Sequence, residues 1–242
     1  MQRLMPYVIF LSSVVFFNHT YANSRHDLHC NSTLQMQMTS ESIAAVEQYA
    51  SRLDCLIPAI QICMVFDIDN TLITNYPNFG DEAWGSWQSY LSKNDPSNPN
   101  LMTHWLPNAG LYDTIAALRF LFDFKPVESI TTSVLHDVQN NYPTIALTSR
   151  SFASLSTTER QLLNNDMNFK LNPIGGNPLD HYFLQQNNNQ LKMYYNGIYY
   201  TAGTNKGENL LQLIEHYRNK LNQPELCSVV IAVDDTSSHI DD

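Results

Sequence analysis

Two aspartates, Asp67 and Asp69, follow directly on the apolar run Ile62-Cys-Met-Val-Phe66, within the segment Asp67-Ile68-Asp69-Asn70-Thr71. In an extended chain the period of two puts both carboxylates on one face and turns Ile68 to the other. Carboxylates placed together repel each other unless a cation or a catalytic task compensates. The plainer reading of the same five residues is an Asp-rich turn after a strand.

Three other segments carry complementary chemistry. Thr148-Ser149-Arg150 closes a second apolar run and would offer hydroxyl and backbone N–H donors at a strand end. Lys206 opens a helical pattern after Thr204-Asn205. A cation is disfavoured at a helix N-terminus by the macrodipole, so a nearby anion would account for it. Asp234-Asp235 ends a third apolar run, and adjacent acids there suit a hard, oxygen-liganded cation. Each segment alone has a bland reading: a polar strand end, a solvated lysine, a capped turn. Their agreement is informative, because every one falls at a strand or helix end that would face one crevice.

The elements that must position them alternate. Strands are expected at Ile62–Phe66, Thr144–Leu147 and Val229–Val233, without the polar alternation of a half-exposed sheet. Helices are expected from Ser40 or Ser42 to Leu53, near Glu82–Leu91, Leu111–Phe122, Ser129–Asn141 and Leu155–Leu163, and over Lys206–Asn219. Asn196-Gly197 between tyrosine-rich arms predicts a hairpin with a type I′ turn. Strands separated by helices predict an α/β fold, a three-layer doubly wound parallel sheet whose carboxyl edge binds ligands. A helical insertion, roughly residues 76–128, and a hairpin insertion, roughly 168–200, interrupt it. Trp84, Trp87, Tyr90 and Trp105 in the first would form either a lid or that insertion's own small core.

The chain has 242 residues and a formal net charge of −10, which gives no electrostatic footprint for nucleic acid or anionic membrane. Arg3 precedes an apolar run from Leu4 to Phe17 and a polar stretch ending in Ala22. The run falls short of the roughly 20 residues that span a bilayer and matches a secretory signal peptide over residues 1–22, leaving 23–242 as one exported domain. No stable membrane span is expected after cleavage. Of Cys30, Cys55, Cys63 and Cys227, the last two sit in or beside apolar runs and read as buried free thiols. A Cys30–Cys55 bridge is the expected pairing. His26, Asp27, His29 and Cys30 have metal-type spacing but read as a solvated tail. Few residues follow Asp234, so Val229–Val233 is expected to lack a covering layer, as in a truncated reading of a longer protein.

The four segments together, led by Val65-Phe-Asp-Ile-Asp-Asn-Thr-Leu72, resemble the haloacid dehalogenase-like superfamily from about Ile62 onward. With the leader, the chain looks most like secreted bacterial members and, more distantly, like periplasmic acid phosphatases. The resemblance implies a Rossmann-like core with a cap-like insertion and a phosphomonoesterase that acts on a small-molecule phosphate ester. Asp67 would be the nucleophile and Asp69 the proton-transfer group, while Thr148, Ser149 and Lys206 would bind the phosphate. Mg2+ would be held by Asp67, the backbone carbonyl of Asp69, Asp234 and, through water or as a second-shell acceptor, Asp235. Alternatives are a phosphotransferase of the same fold and a secreted binding protein that retains the fold.

Overall fold

Five consecutive buried residues, Ile62–Phe66, form the strand around which the rest is arranged. The computed structural model describes residues 7–13, 37–54, 57–75, 79–177, 179–185 and 191–236. Its strands are β1 Tyr7–Ser13, β2 Gln37–Ser40, β3 Ile62–Phe66, β4 Ile73–Asn75, β5 Phe124–Pro126, β6 Thr144–Thr148, β7 His181–Gln185, β8 Leu191–Tyr195, β9 Ile198–Tyr200 and β10 Val229–Asp234. Its helices are α1 Ala44–Asp54, α2 Glu82–Asn94, α3 Leu111–Leu121, α4 Thr131–Asn141, α5 Leu155–Leu163 and α6 Lys206–Leu221.

The main sheet runs β2-β1-β10-β3-β6-β9-β8-β7. Its four central strands, β10, β3, β6 and β9, are mutually parallel, and the outer pairs are antiparallel. Alternate residues of β3 serve opposite layers. Ile62, Met64 and Phe66 pack with Val46, Ala50 and Leu53 of α1 and Val134, Leu135 and Val138 of α4. Cys63 and Val65 pack with Leu213, Ile214 and Tyr217 of α6 on the other face. Cover on both faces is why the strand sequence is continuously apolar. The architecture is therefore α/β, with a mostly parallel sheet flanked by helices.

The expected helices and strands are present, with two corrections. Val229–Val233 does not lack cover: Ile231 and Val233 join the α1 and α4 layer and Val230 joins the α6 layer, all three buried. Part of this layer comes from α1, upstream in the chain, and not from residues that follow the strand. Cys63 and Cys227 are also not free thiols but form a disulfide, with Cα atoms 4.9 Å apart. The pairing of β3 with β10, Cys63 opposite Val230, is what brings them together. The proposed Cys30–Cys55 bridge and the His26–Cys30 cluster lie outside the described residues.

Strand β1 comes from the segment read as a leader; it lies between β2 and β10 and pairs antiparallel with β10 from Val8↔Asp234 to Ser13↔Val229. The hairpin turn is as predicted: Asn196 and Gly197 have φ of 54° and 79°. Only glycine fits at 197, since a Cβ there would meet the Phe169 carbonyl oxygen at 2.1 Å.

Segment 76–128 leaves and rejoins the core through a ribbon of β4 and β5, paired Ile73↔Pro126 to Asn75↔Phe124. Between its arms, α2 and α3 lie against each other. Asp81 caps α2, its carboxylate accepting from the Trp84 N–H at 2.7 Å. Gly80 faces Leu118 and Gly85 faces Ile115, close enough that a Cβ at either would clash. Position rises along α2 as it falls along α3, so the two helices run antiparallel.

Candidate active site

Parallel pairing decides where the acids meet. The register Phe66↔Val233 brings the next residues, Asp67 and Asp234, side by side at the carboxyl ends of β3 and β10. The Asp67 N–H continues the ladder, donating to the Val233 carbonyl at 2.9 Å. Asp235 is fixed by its own N–H, which donates to the hydroxyl of fully buried Thr71 at 3.0 Å. One carboxylate oxygen from each of Asp67, Asp234 and Asp235 can be chosen so that all three lie within 4.8 Å of one another.

The ammonium of Lys206 sits between two of them, donating to Asp67 Oδ1 at 2.7 Å and to Asp234 Oδ2 at 2.8 Å. These are the anions that the placement of a lysine at a helix start implied. Asn205 caps that helix, accepting from the Glu208 N–H at 2.7 Å. Burial works against the charge on Lys206, but Asp67 and Asp234 outweigh it and hold the ammonium protonated above its usual range. Burial pushes Asp67 up to about 6; Lys206 opposes the rise, and Asp234 and Asp69 add to it. The three clustered carboxylates have one ammonium among them, Lys206 on Asp67 and Asp234, which leaves an excess of two negative charges. All-oxygen donors with that excess fit a hard divalent cation.

Asp69 is engaged differently. Arg150 grips its carboxylate with two parallel bonds, Nε to Oδ2 at 2.9 Å and NH2 to Oδ1 at 2.8 Å. Arg119, from α3, adds an ion pair to Oδ2 at 3.2 Å. Burial alone would raise the pKa of Asp69, but the two guanidinium groups prevail and hold it ionised well below the usual carboxylate range. Arg150 is itself buried, and its NH1 donates to Thr158 and to Gln161 of α5. Gln161 in turn donates to the Arg119 carbonyl at 2.6 Å, and Arg160 to the Phe120 carbonyl. Side chains of α5 thus anchor the C-terminal end of α3 and, through Arg150, orient Asp69.

A cleft of about 1230 Å³ opens over these groups, lined at its base by Asp67, Asp69, Ser149, Arg150 and Lys206. Thr148 is fully buried behind it; its hydroxyl accepts from the Arg150 N–H at 3.1 Å and its carbonyl accepts from Thr201. Of the two hydroxyls expected to meet phosphate, Ser149 lines the cleft and Thr148 braces the strand end. The carboxylate cluster holds Asp67, Asp234 and Asp235, while the Asp69 carboxylate faces the arginines. Of the four aromatics weighed as a lid, only Tyr90 lines the cleft. Trp84 packs on Phe79, and Phe79 on Phe122, as part of the segment's own core.

Two side chains that hold Asp69, Arg150 and Arg119, are not marked by any motif in the sequence. Arg150 follows Thr148-Ser149 directly, and the signal for it is that an arginine closing a buried strand demands a partner. Arg119 looks like an ordinary surface residue of an amphipathic helix, and only its spacing with Tyr112 and Ile115 hinted at a shared stripe.

No curated protein and no solved structure matches the chain. Residues 38–242 match the family model DUF2608, described as "Protein of unknown function". That match spans most of the sequence, and the chain belongs to the DUF2608 family.

Proposed function

We propose that this chain is an exported, Mg2+-dependent phosphomonoesterase of haloacid dehalogenase type that works through an aspartyl-phosphate on Asp67, with α2 and α3 as its cap. The observation that carries the reading is the convergence of Asp67, Asp234 and Asp235, with Lys206 bridging the first two, beside a separately held Asp69.

In this scheme an Asp67 oxygen attacks phosphorus, the new O–P bond forms, and the bond to the leaving oxygen breaks. Asp69 first takes the proton of the incoming monoester monoanion and gives it to that oxygen, then takes one from the water that attacks the acyl-phosphate, releasing phosphate and restoring Asp67. Lys206 and the Ser149 hydroxyl hold the phosphoryl oxygens, and positioning with charge stabilisation provides most of the acceleration. Asp67, Asp234 and Asp235 would hold Mg2+, which when bound neutralises charge on the transferring group. Asp69 rests in the ionised form that the second half-reaction uses. The Arg119 ion pair, at 3.2 Å, is longer than either Arg150 bond, so in this scheme an incoming phosphate draws Arg119 away first. The Cys63–Cys227 disulfide supports export, since disulfides persist in oxidising compartments.

The test is hydrolysis of phenyl phosphate with Mg2+ and then with EDTA. Turnover that EDTA abolishes and Mg2+ restores is expected. Absence of phosphate release under both conditions rules the reading out.

A further inference from the structure

Along the cleft, chemistry changes from its base to its mouth. At the base Arg119 meets Asp69. On the same stripe of α3, Ala116, Ile115 and Tyr112 follow outward, all lining the cleft. Tyr112 is seven residues from Arg119, which at about 1.5 Å per residue is about 10 Å along the helix axis. The facing stripe of α2 runs Gly85, Ser86, Ser89, Tyr90. Because Gly85 opposes Ile115 in the antiparallel pair, one further turn brings Tyr90 beside Leu111 and Tyr112.

The middle of the cleft is therefore narrow-sided and bland, and its mouth carries two tyrosines. Tyr112 is 83% exposed and Tyr90 60%, so neither ring packs the hairpin, which Trp84, Phe79 and Phe122 do instead. Lys93 and Asn94, the next lining residues of α2, add donors at the same end. Large aromatic side chains left open beside polar donors suit the face of a planar, heteroatom-bearing ring.

We infer that the cleft takes a phosphate ester whose leaving group carries such a ring, set off from phosphorus by a spacer the size of a sugar, with the ring against Tyr90 and Tyr112. This deepens the phosphomonoesterase reading and rests on it for the chemistry, though not for the binding. A phenyl ester holds its ring at the phosphate and stops beside Ile115. A glycerol ester leaves both tyrosines in water. A nucleoside monophosphate spans the distance.

The experiment measures binding of adenosine 5′-monophosphate and of glycerol phosphate to Asp67→Asn in Mg2+, which removes turnover from the readout. The nucleotide should bind about tenfold tighter or better, the scale of one base stacked on an aromatic side chain. Tyr90→Leu with Tyr112→Leu should erase the difference, and Tyr112→Phe, which keeps the ring, should preserve it. Equal affinities, or a preference that survives loss of both rings, would overturn the inference. Phenyl phosphate turnover by the unaltered protein reads the reaction separately. If that is absent while ring-dependent binding persists, the ligand assignment stands and the reaction does not.

Discussion

Arg150 and Asp69 form a two-bond pair at 2.8 and 2.9 Å in which the arginine side chain is wholly buried and the aspartate largely so. Removing one partner of such a pair strands the other charge away from water. Asp69→Asn should therefore destabilise the protein at neutral pH by about 3–5 kcal/mol. The pKa of Asp69 is lower in the folded than in the unfolded chain. Its contribution is then complete above the unfolded value, about 4, and is lost as pH falls through the folded one. Urea unfolding at pH 7 and pH 3 should show the gap between Asp69→Asn and the parent narrowing in acid. A gap that widens there would contradict the assignment.

The Cys63–Cys227 bond closes a loop with a sequence separation of 164 residues and ties the start of β3, which leads into Asp67, to the residues just before β10, which ends in Asp234. Cys63→Ala with Cys227→Ala should lower stability by about 3–5 kcal/mol, the range for bridges that close long loops. The readout is the urea midpoint of the double variant, compared with the oxidised and reduced parent. The reduced parent should move towards the variant. Identical midpoints in all three would mean the bond contributes nothing.

Much of this arrangement was legible in the sequence, for a physical reason. Ile62–Phe66 and Thr144–Thr148 are covered on both faces, so their burial is written as unbroken apolar runs. Asp67, Lys206 and Asp234 stand at the ends of such runs or helices, where backbone geometry alone fixes their direction. What could not be read depends on which strands are neighbours. The disulfide requires β3 to lie beside β10, and the Arg119 contact requires α3 to fold back over the core. Thr148 shows a second such case: its type suggested a polar strand end, but that its hydroxyl also accepts from the Arg150 N–H depends on the local turn.

Mg2+ should raise the melting temperature, because a cation that binds only the folded state stabilises it. At one hundred times its Kd the gain is about 2.7 kcal/mol. Asp234→Asn and Asp235→Asn should each reduce the shift, since both carboxylates belong to the cluster with Asp67. Thermal unfolding by fluorescence, across a Mg2+ titration, is sufficient. A shift of unchanged size in both variants would place the cation elsewhere.

Export is tested by the N-terminus. In a secreting bacterial host, mass spectrometry should find the mature chain beginning near Asn23. The pairing of Tyr7–Ser13 with β10 frames the opposite result. A folded, soluble, full-length chain whose residues 7–13 resist proteolysis would make that strand a lasting part of the sheet and remove the leader reading.

The central claim is covalent chemistry on Asp67, and trapping the intermediate tests it most directly. The protein should be mixed with Mg2+ and phenyl phosphate, quenched in acid within the first turnovers and analysed by peptide mass spectrometry. The peptide containing Asp67 should carry one phosphoryl group, and Asp67→Asn should carry none. Brisk turnover with no phosphoryl group on Asp67, or undiminished turnover by Asp67→Asn, would contradict the account.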